Sequence, residues 1–61
     1  MKFWIAREQN WQLYGHEDKP VLVDDEWVSM GALYNLDADL FPEITFEYSP
    51  QQVEIKLVKE K

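Results

Sequence analysis

The sequence contains no cysteine, a single histidine and only two glycines in 61 residues. Without cysteine the chain can form no disulfide and no thiolate metal site, and a lone His16 gives zinc too few ligands. Gly15 and Gly31 are isolated, so no glycine-rich loop can cradle a phosphate group. We therefore expect neither a metal nor a cofactor.

Basic residues are absent from the long middle part of the chain. Residues 20–55 contain no Lys or Arg but eight carboxylates, and the net charge of the whole sequence is −6. Such a segment repels the phosphates of a nucleic acid, and it repels an anionic membrane surface for the same reason. Both classes of partner are therefore disfavoured.

Long apolar runs are also missing. No window approaches the roughly 20 apolar residues of a membrane span. The N-terminal stretch reaches Arg7 and Glu8 too early for the apolar region of a secretory signal. With no export signal and no cysteine, we expect a cytoplasmic protein.

The length allows one small domain, 1–61, and no second. A domain of this size buries only about 60 % of the surface that its unfolded chain exposes, so its stability is expected to be marginal. The 46 % hydrophobic content, with nine aromatic residues, is nevertheless enough for a folded core.

The opening stretch Lys2–Arg7, KFWIAR, alternates between two faces as a strand does. A second strand is expected over 11–14, joined by the loop Glu8-Gln9-Asn10 with Asn10 in the left-handed conformation. One face of this hairpin is predicted to enter the core: Phe3, Ile5, Trp11 and Leu13. The other face is also apolar and is either covered or a contact surface: Trp4, Ala6 and Tyr14.

Further strands are predicted at 21–23, 27–30, 44–48 and 51–58, with a polar turn at 24–26. In the last strand the inward-facing side chains are Val53, Ile55 and Leu57. Only 32–40 has any helical periodicity, and Pro42 stops it. We expect one helical turn near 37–41, capped by Asp37, with Leu40 and Phe41 closing the end of the core.

These elements predict an all-β fold, a small antiparallel meander of five to six short strands forming a half-open barrel or a highly twisted sheet. Sequential strand pairing is the default expectation. An α+β fold with a real helix at 32–41 is the alternative.

No catalytic constellation is visible. Two serines and one threonine share a single histidine, and His16 is expected to be an exposed turn residue. Asp37-x-Asp39 begins like a calcium loop but lacks its glycine and its downstream glutamate. We expect the protein not to be an enzyme.

Several stretches resemble a pattern found in small uncharacterised proteins of gut-bacterial genomes and of the phages and mobile elements resident there. They are KFWIAR, Lys19-Pro20, Trp27 and LFPEITFEYSPQQVEI at 40–55. The resemblance spans nearly the whole chain and implies an accessory role in a phage or mobile element. It carries no activity, cofactor or site residue.

The leading functional hypothesis is a non-enzymatic protein-binding module with an acidic surface. Its candidate interaction residues are Trp4, Tyr14, Asp24, Asp25, Glu26, Asp37 and Asp39. One alternative is a structural homo-oligomer that assembles through the apolar hairpin face or through an edge strand such as 51–58. Another is a single-stranded nucleic-acid binder that uses the aromatic side chains despite the charge.

Overall fold

A computed structural model of the chain describes residues 2–54 and shows six short strands without a helix in that part of the chain. Met1 and residues 55–61 lie outside the described residues. The strands are β1 (Lys2–Arg7), β2 (Leu13–His16), β3 (Val21–Val23), β4 (Glu26–Val28), β5 (Leu33–Leu36) and β6 (Gln51–Glu54). The predicted all-β antiparallel class is confirmed, and the sheet does not close into a barrel.

Four strands form one antiparallel sheet in the order β5-β2-β1-β6, and β3 pairs with β4 in a separate two-stranded ribbon. The predicted sequential pairing therefore holds only for β1 with β2 and for β3 with β4. The ribbon lies between β2 and β5 in the chain. β5 then returns to the free edge of β2, and β6 adds to the free edge of β1. The central pair, β1 and β2, is thus the frame to which the other elements attach.

The first hairpin has a loop that is shifted by one residue from the predicted one. Arg7 pairs with Leu13, and the loop is Gln9-Asn10-Trp11 with Trp11 at φ 74°, in the left-handed region expected for Asn10. The side chain of Asn10 instead accepts a hydrogen bond from the Gln12 N–H at 3.1 Å. Trp11 is consequently exposed and does not belong to the core face.

The stretch with helical periodicity forms β5 instead of a helix. Leu36 pairs with Leu13 of β2 and packs against the core, while Leu33 and Tyr34 are exposed. Tertiary pairing with an open strand edge has overridden a weak local preference, as is common for such short segments. After the strand a turn does form, and an Asp37 carboxylate oxygen accepts the Asp39 N–H at 2.9 Å.

The strand predicted at 44–48 is absent. Three backbone bonds turn the chain here: Ile44 N–H to the Phe41 carbonyl, Tyr48 N–H to that of Thr45, and Ser49 N–H to that of Phe46. A segment whose backbone groups bond locally has none to offer to a sheet. The predicted strand at 51–58 is described only as far as Glu54, so Ile55 and Leu57, predicted to face inward, lie outside the described residues.

The core on the inner face of the sheet is small. Its buried apolar side chains are Ile5, Leu13 and Ile44, against which Phe3, Leu36 and Val53 pack. Leu40 and Phe41, predicted to close the core, are instead exposed, and Ile44 takes that place. Gly15 lies between Phe3 and Leu36, where an added Cβ would come within 3.3 Å of the Phe3 ring.

Arg7, at the end of β1, is fully buried beside this core. All five N–H groups of its guanidinium have a backbone carbonyl partner: those of Ile44 (2.9 Å), Trp11 (3.0 Å), Ala38 (2.8 Å), Leu40 (2.9 Å) and Phe41 (3.1 Å). A guanidinium has five donors and no acceptor, so its hydrogen-bonding capacity is fully used. We call this arrangement the Arg7 clamp.

The Arg7 clamp explains how the long connection between β5 and β6 is ordered. Four of the five carbonyls come from that connection, and the Arg7 main-chain N–H also donates to Ser49 Oγ at 2.8 Å. Its guanidinium carbon lies 4.0 Å from the ring centroid of Trp11, which covers the cation. A buried charge is tolerated only when it is hydrogen-bonded, and here carbonyl dipoles and an aromatic face serve that purpose.

The clamp predicts that Arg7→Lys strongly destabilises the protein although the charge is kept. An ammonium has three donors, so at least two carbonyls lose their partner at about 1–3 kcal/mol each. A chain of 61 residues has a total stability of roughly 3–9 kcal/mol, so the variant is expected to be largely unfolded at 37 °C.

Urea denaturation followed by tryptophan fluorescence measures the effect. The matched control is the reverse exchange at an exposed position, Lys2→Arg, which should leave the free energy of unfolding unchanged. Equal stability of Arg7→Lys and the unmodified protein contradicts the clamp.

Candidate protein interface

A cleft of about 560 Å³ lies between the loop of the first hairpin and the turn of the β3–β4 ribbon. We call it the acidic cleft. Its acidic and aromatic lining residues are Glu8, Tyr14, Asp24, Asp25, Glu26 and Trp27. Its lining contains four carboxylates and no Lys or Arg. An unpaired group of like charges in a concave site favours a cationic ligand.

The turn of the ribbon places three of the carboxylates at one rim. Asp24 and Asp25 are at φ 49° and 63°, and Val23 pairs with Glu26 across them. Two consecutive left-handed residues make a type I′ turn, which fits the twist of a two-residue hairpin. Aspartate tolerates this conformation better than most residues. The same two residues therefore form the turn and supply its negative charges.

Glu8 supplies the fourth carboxylate from the opposite rim. Both its carboxylate oxygens lie 3.4 Å from the Trp27 N–H, so that one long hydrogen bond is shared between them. Burial raises the pKa of the Glu8 carboxyl, the Trp27 N–H bond lowers it, and the charge of Glu26 raises it again. The net rise means that the folded protein destabilises the negative charge of Glu8, which a bound cation would relieve.

Two aromatic side chains complete the cleft. The Trp27 ring packs at a tilt against Phe46, with 5.9 Å between ring centroids, and its indole N–H is buried without a partner among the described residues. The Tyr14 hydroxyl donates to the Gln12 side-chain oxygen at 2.7 Å. Carboxylates beside aromatic faces suit a guanidinium or an ammonium, which pairs with the former and stacks on the latter.

The structure brings together only part of the predicted interaction surface. Tyr14 joins the three acidic residues 24–26 in the cleft, whereas Asp37 and Asp39 lie in the connection held by Arg7 and do not line it. Trp4 does not line it either. Its ring is half-buried, with the Lys19 ammonium 5.3 Å from its centroid.

Glu8 and Trp27 are two residues of the acidic cleft that the sequence did not indicate. Glu8 reads as an ordinary loop residue, and Trp27 as one member of a short strand. Their common location depends on how the ribbon folds back on the first hairpin, which no local pattern encodes.

His16 is not the exposed turn residue that the sequence suggested. It is the last residue of β2, only 1 % exposed, and its Nδ1 lies 2.8 Å from Ser29 Oγ. This bond ties the main sheet to the residue that follows the ribbon. Its Nε2 is buried without a partner among the described residues, and burial lowers the pKa of the imidazole.

Other kinds of site find no support in the described part of the chain. Among residues 2–54, no group of three or more His, Asp or Glu side chains is arranged to hold a metal ion. The same residues include no helix with the length and apolar character that crossing a membrane requires. Comparison with protein-family models, curated proteins and solved structures finds no match.

The buried His16 predicts that the free energy of unfolding falls as the pH decreases below about 6.5. The unfolded chain takes up a proton at the ordinary imidazole pKa of 6.5, while the folded protein takes it up only at lower pH. Acid therefore favours the unfolded state. Glu8, whose pKa is raised, acts in the opposite direction at lower pH, because the folded state then holds its proton more tightly.

Urea denaturation at pH 7 and at pH 5.5 measures this effect. The control is His16→Gln, which has no imidazole to protonate and should lose the difference between the two pH values. An unchanged pH dependence in that variant assigns the effect to another group.

Proposed function

We propose that the chain is a non-enzymatic protein-binding module that receives a basic segment of a partner protein in the acidic cleft. The observation that carries this proposal is the convergence of four carboxylates and two aromatic rings on one concave surface that has no basic lining residue. The segment recognised is rich in Arg or Lys, since a guanidinium or ammonium meets both kinds of lining group.

In this role the protein binds and covers a basic surface of its partner. An acidic domain of this size that docks on a basic groove competes with the nucleic acid that the groove otherwise holds. The chain resembles small uncharacterised proteins of gut bacteria and of their phages and mobile elements, and an accessory role of that kind is compatible with inhibition. It makes a host protein the natural partner.

A single-stranded nucleic-acid binder is the weaker alternative. Trp4 and Tyr14 are half-buried, and Trp11 stacks on the Arg7 guanidinium. The cleft beside Tyr14 is anionic, so it repels phosphates. Binding of oligo-dT that is measurable at low salt would favour this alternative instead.

The proposal predicts that a nona-arginine peptide binds the cleft. The double variant Glu8→Gln/Asp25→Asn should weaken binding by about five- to ten-fold, because each removed charge contributes up to about 1 kcal/mol. Asparagine also tolerates the left-handed conformation at residue 25, so the turn is kept. Isothermal titration calorimetry at low ionic strength gives both dissociation constants.

A control with the same net charge separates the cleft from general attraction. Asp37→Asn/Asp39→Asn changes the net charge of −6 by the same two units outside the cleft, and the residue 37 side chain keeps an oxygen to accept the turn bond. This variant should bind nearly as well as the unmodified protein. An equal loss in both double variants contradicts a specific site.

A further inference from the structure

The outer edge of β3 is an unprotected strand edge in the described part of the chain. β3 has β4 as its only neighbour in residues 2–54, and its three side chains are 60 %, 48 % and 48 % exposed. Both faces of the strand are therefore open as well as one edge. Edge strands are normally protected by charges, proline or a bulge, and Val21–Val23 contains none of these.

The pattern of the ribbon shows which backbone groups are free. Residues opposite each other in an antiparallel pair alternate between bonded and non-bonded, and a two-residue turn is closed by a bonded pair, here Val23 with Glu26. The Leu22–Trp27 pair is therefore non-bonded. The Trp27 N–H confirms this, because it points away from β3 to the Glu8 carboxylate.

The consequence is that the N–H and C=O of Leu22 point out of the ribbon on the side away from Glu8. They lie at the centre of β3, between Val21 and Val23, whose backbone groups face β4. A single residue with both groups outward can exchange two hydrogen bonds with an identical residue placed opposite it.

We propose that two copies of this chain pair antiparallel through β3, with Leu22 of each copy on the two-fold axis. Leu22 then faces Leu22 of the second copy, and Val21 faces its Val23. This is the one antiparallel register that pairs all three residues of the strand. The two ribbons become a four-stranded sheet in the order β4-β3-β3-β4. The inference is independent of the proposed binding function.

The charges at the two ends of β3 select a second copy as the occupant. Lys19 lies just before the strand, and Asp24 and Asp25 lie just after it. In this register Lys19 of one copy lies opposite Asp25 of the other, so this pair of opposite charges occurs twice in the dimer. The strand itself carries no charge, so nothing within it repels an identical strand.

Packing favours the same arrangement. A two-stranded ribbon is marginally stable alone, whereas a sheet of three or more strands can be stable. Pairing places Leu22 beside Leu22 of the second copy, each flanked by its own Trp27, in one row across four strands. On the other face Val28 and Val21 continue into Val23 of the second copy. Such β-branched and aromatic pairs are the stabilising contacts of a sheet.

Sedimentation equilibrium of the unmodified protein is the first test. The short strand makes a small interface of the weak class, so the mean mass should rise from 7.3 kDa towards twice that value between about 10 µM and about 1 mM. A protein that stays at 7.3 kDa over that range overturns the proposal.

Charge exchange on the axis is the second test. Leu22→Lys and Leu22→Glu each place two like charges opposite each other, so each variant alone should dimerise at least about ten-fold more weakly. An equimolar mixture of the two should recover the dimer as a heterodimer, detected by native mass spectrometry. Because the mixture regains what each variant lost, recovery also excludes misfolding as the cause.

The control is Met30→Lys, a charge at an apolar side chain that is 99 % exposed and outside β3. It should dimerise as the unmodified protein does. Dimers that survive both Leu22 variants, or a mixture that remains monomeric, contradict pairing through β3. The test of the acidic cleft is kept separate by titrating nona-arginine at a protein concentration below about 10 µM. At that concentration a protein with an interface of this weak class is a monomer.

Discussion

The Arg7 guanidinium holds together parts of the chain that no regular element connects. It donates to carbonyls of the first hairpin loop and of the connection between β5 and β6, and the main-chain N–H of Arg7 donates to Ser49 Oγ. Among residues 2–54, the core cluster of this sheet contains three buried apolar side chains. Hydrogen bonds from one central cation therefore order a loop that the apolar core alone would not fix.

The bonding of Arg7 to backbone carbonyls also determines which carboxylates remain without a cationic partner. Because backbone carbonyls satisfy Arg7, none of its five side-chain bonds uses a carboxylate. The negative charges of Glu8 and of residues 24–26 therefore stay available in the acidic cleft. A buried arginine paired with Glu8 would have removed the charge on which the proposed recognition depends. The fold thus separates its buried cation from the carboxylates of the acidic cleft.

Local patterns in the sequence predicted the strands β1 and β3 and the Asp24-Asp25 turn, because alternation and turn chemistry act between neighbouring residues. They failed for β5 and for 44–48, where distant groups decide. Leu33–Leu36 is a strand because β2 offers an open edge, and the 44–48 backbone turns on itself beside the Arg7 clamp. The acidic cleft shows the same division. Asp24 is predicted as a surface residue from the local turn pattern, whereas the position of Glu8 across the cleft from it depends on the tertiary fold.

The central claim is that one buried guanidinium has all five of its N–H groups bonded. Arg7 is the only arginine of the sequence, so its side-chain signals need no further assignment in a ¹⁵N-labelled sample. The clamp predicts five separate guanidinium N–H resonances that exchange slowly with water, because rotation about both C–N bonds is blocked. A single averaged Nη signal with rapid exchange would show an arginine that is free in solvent and would contradict the account.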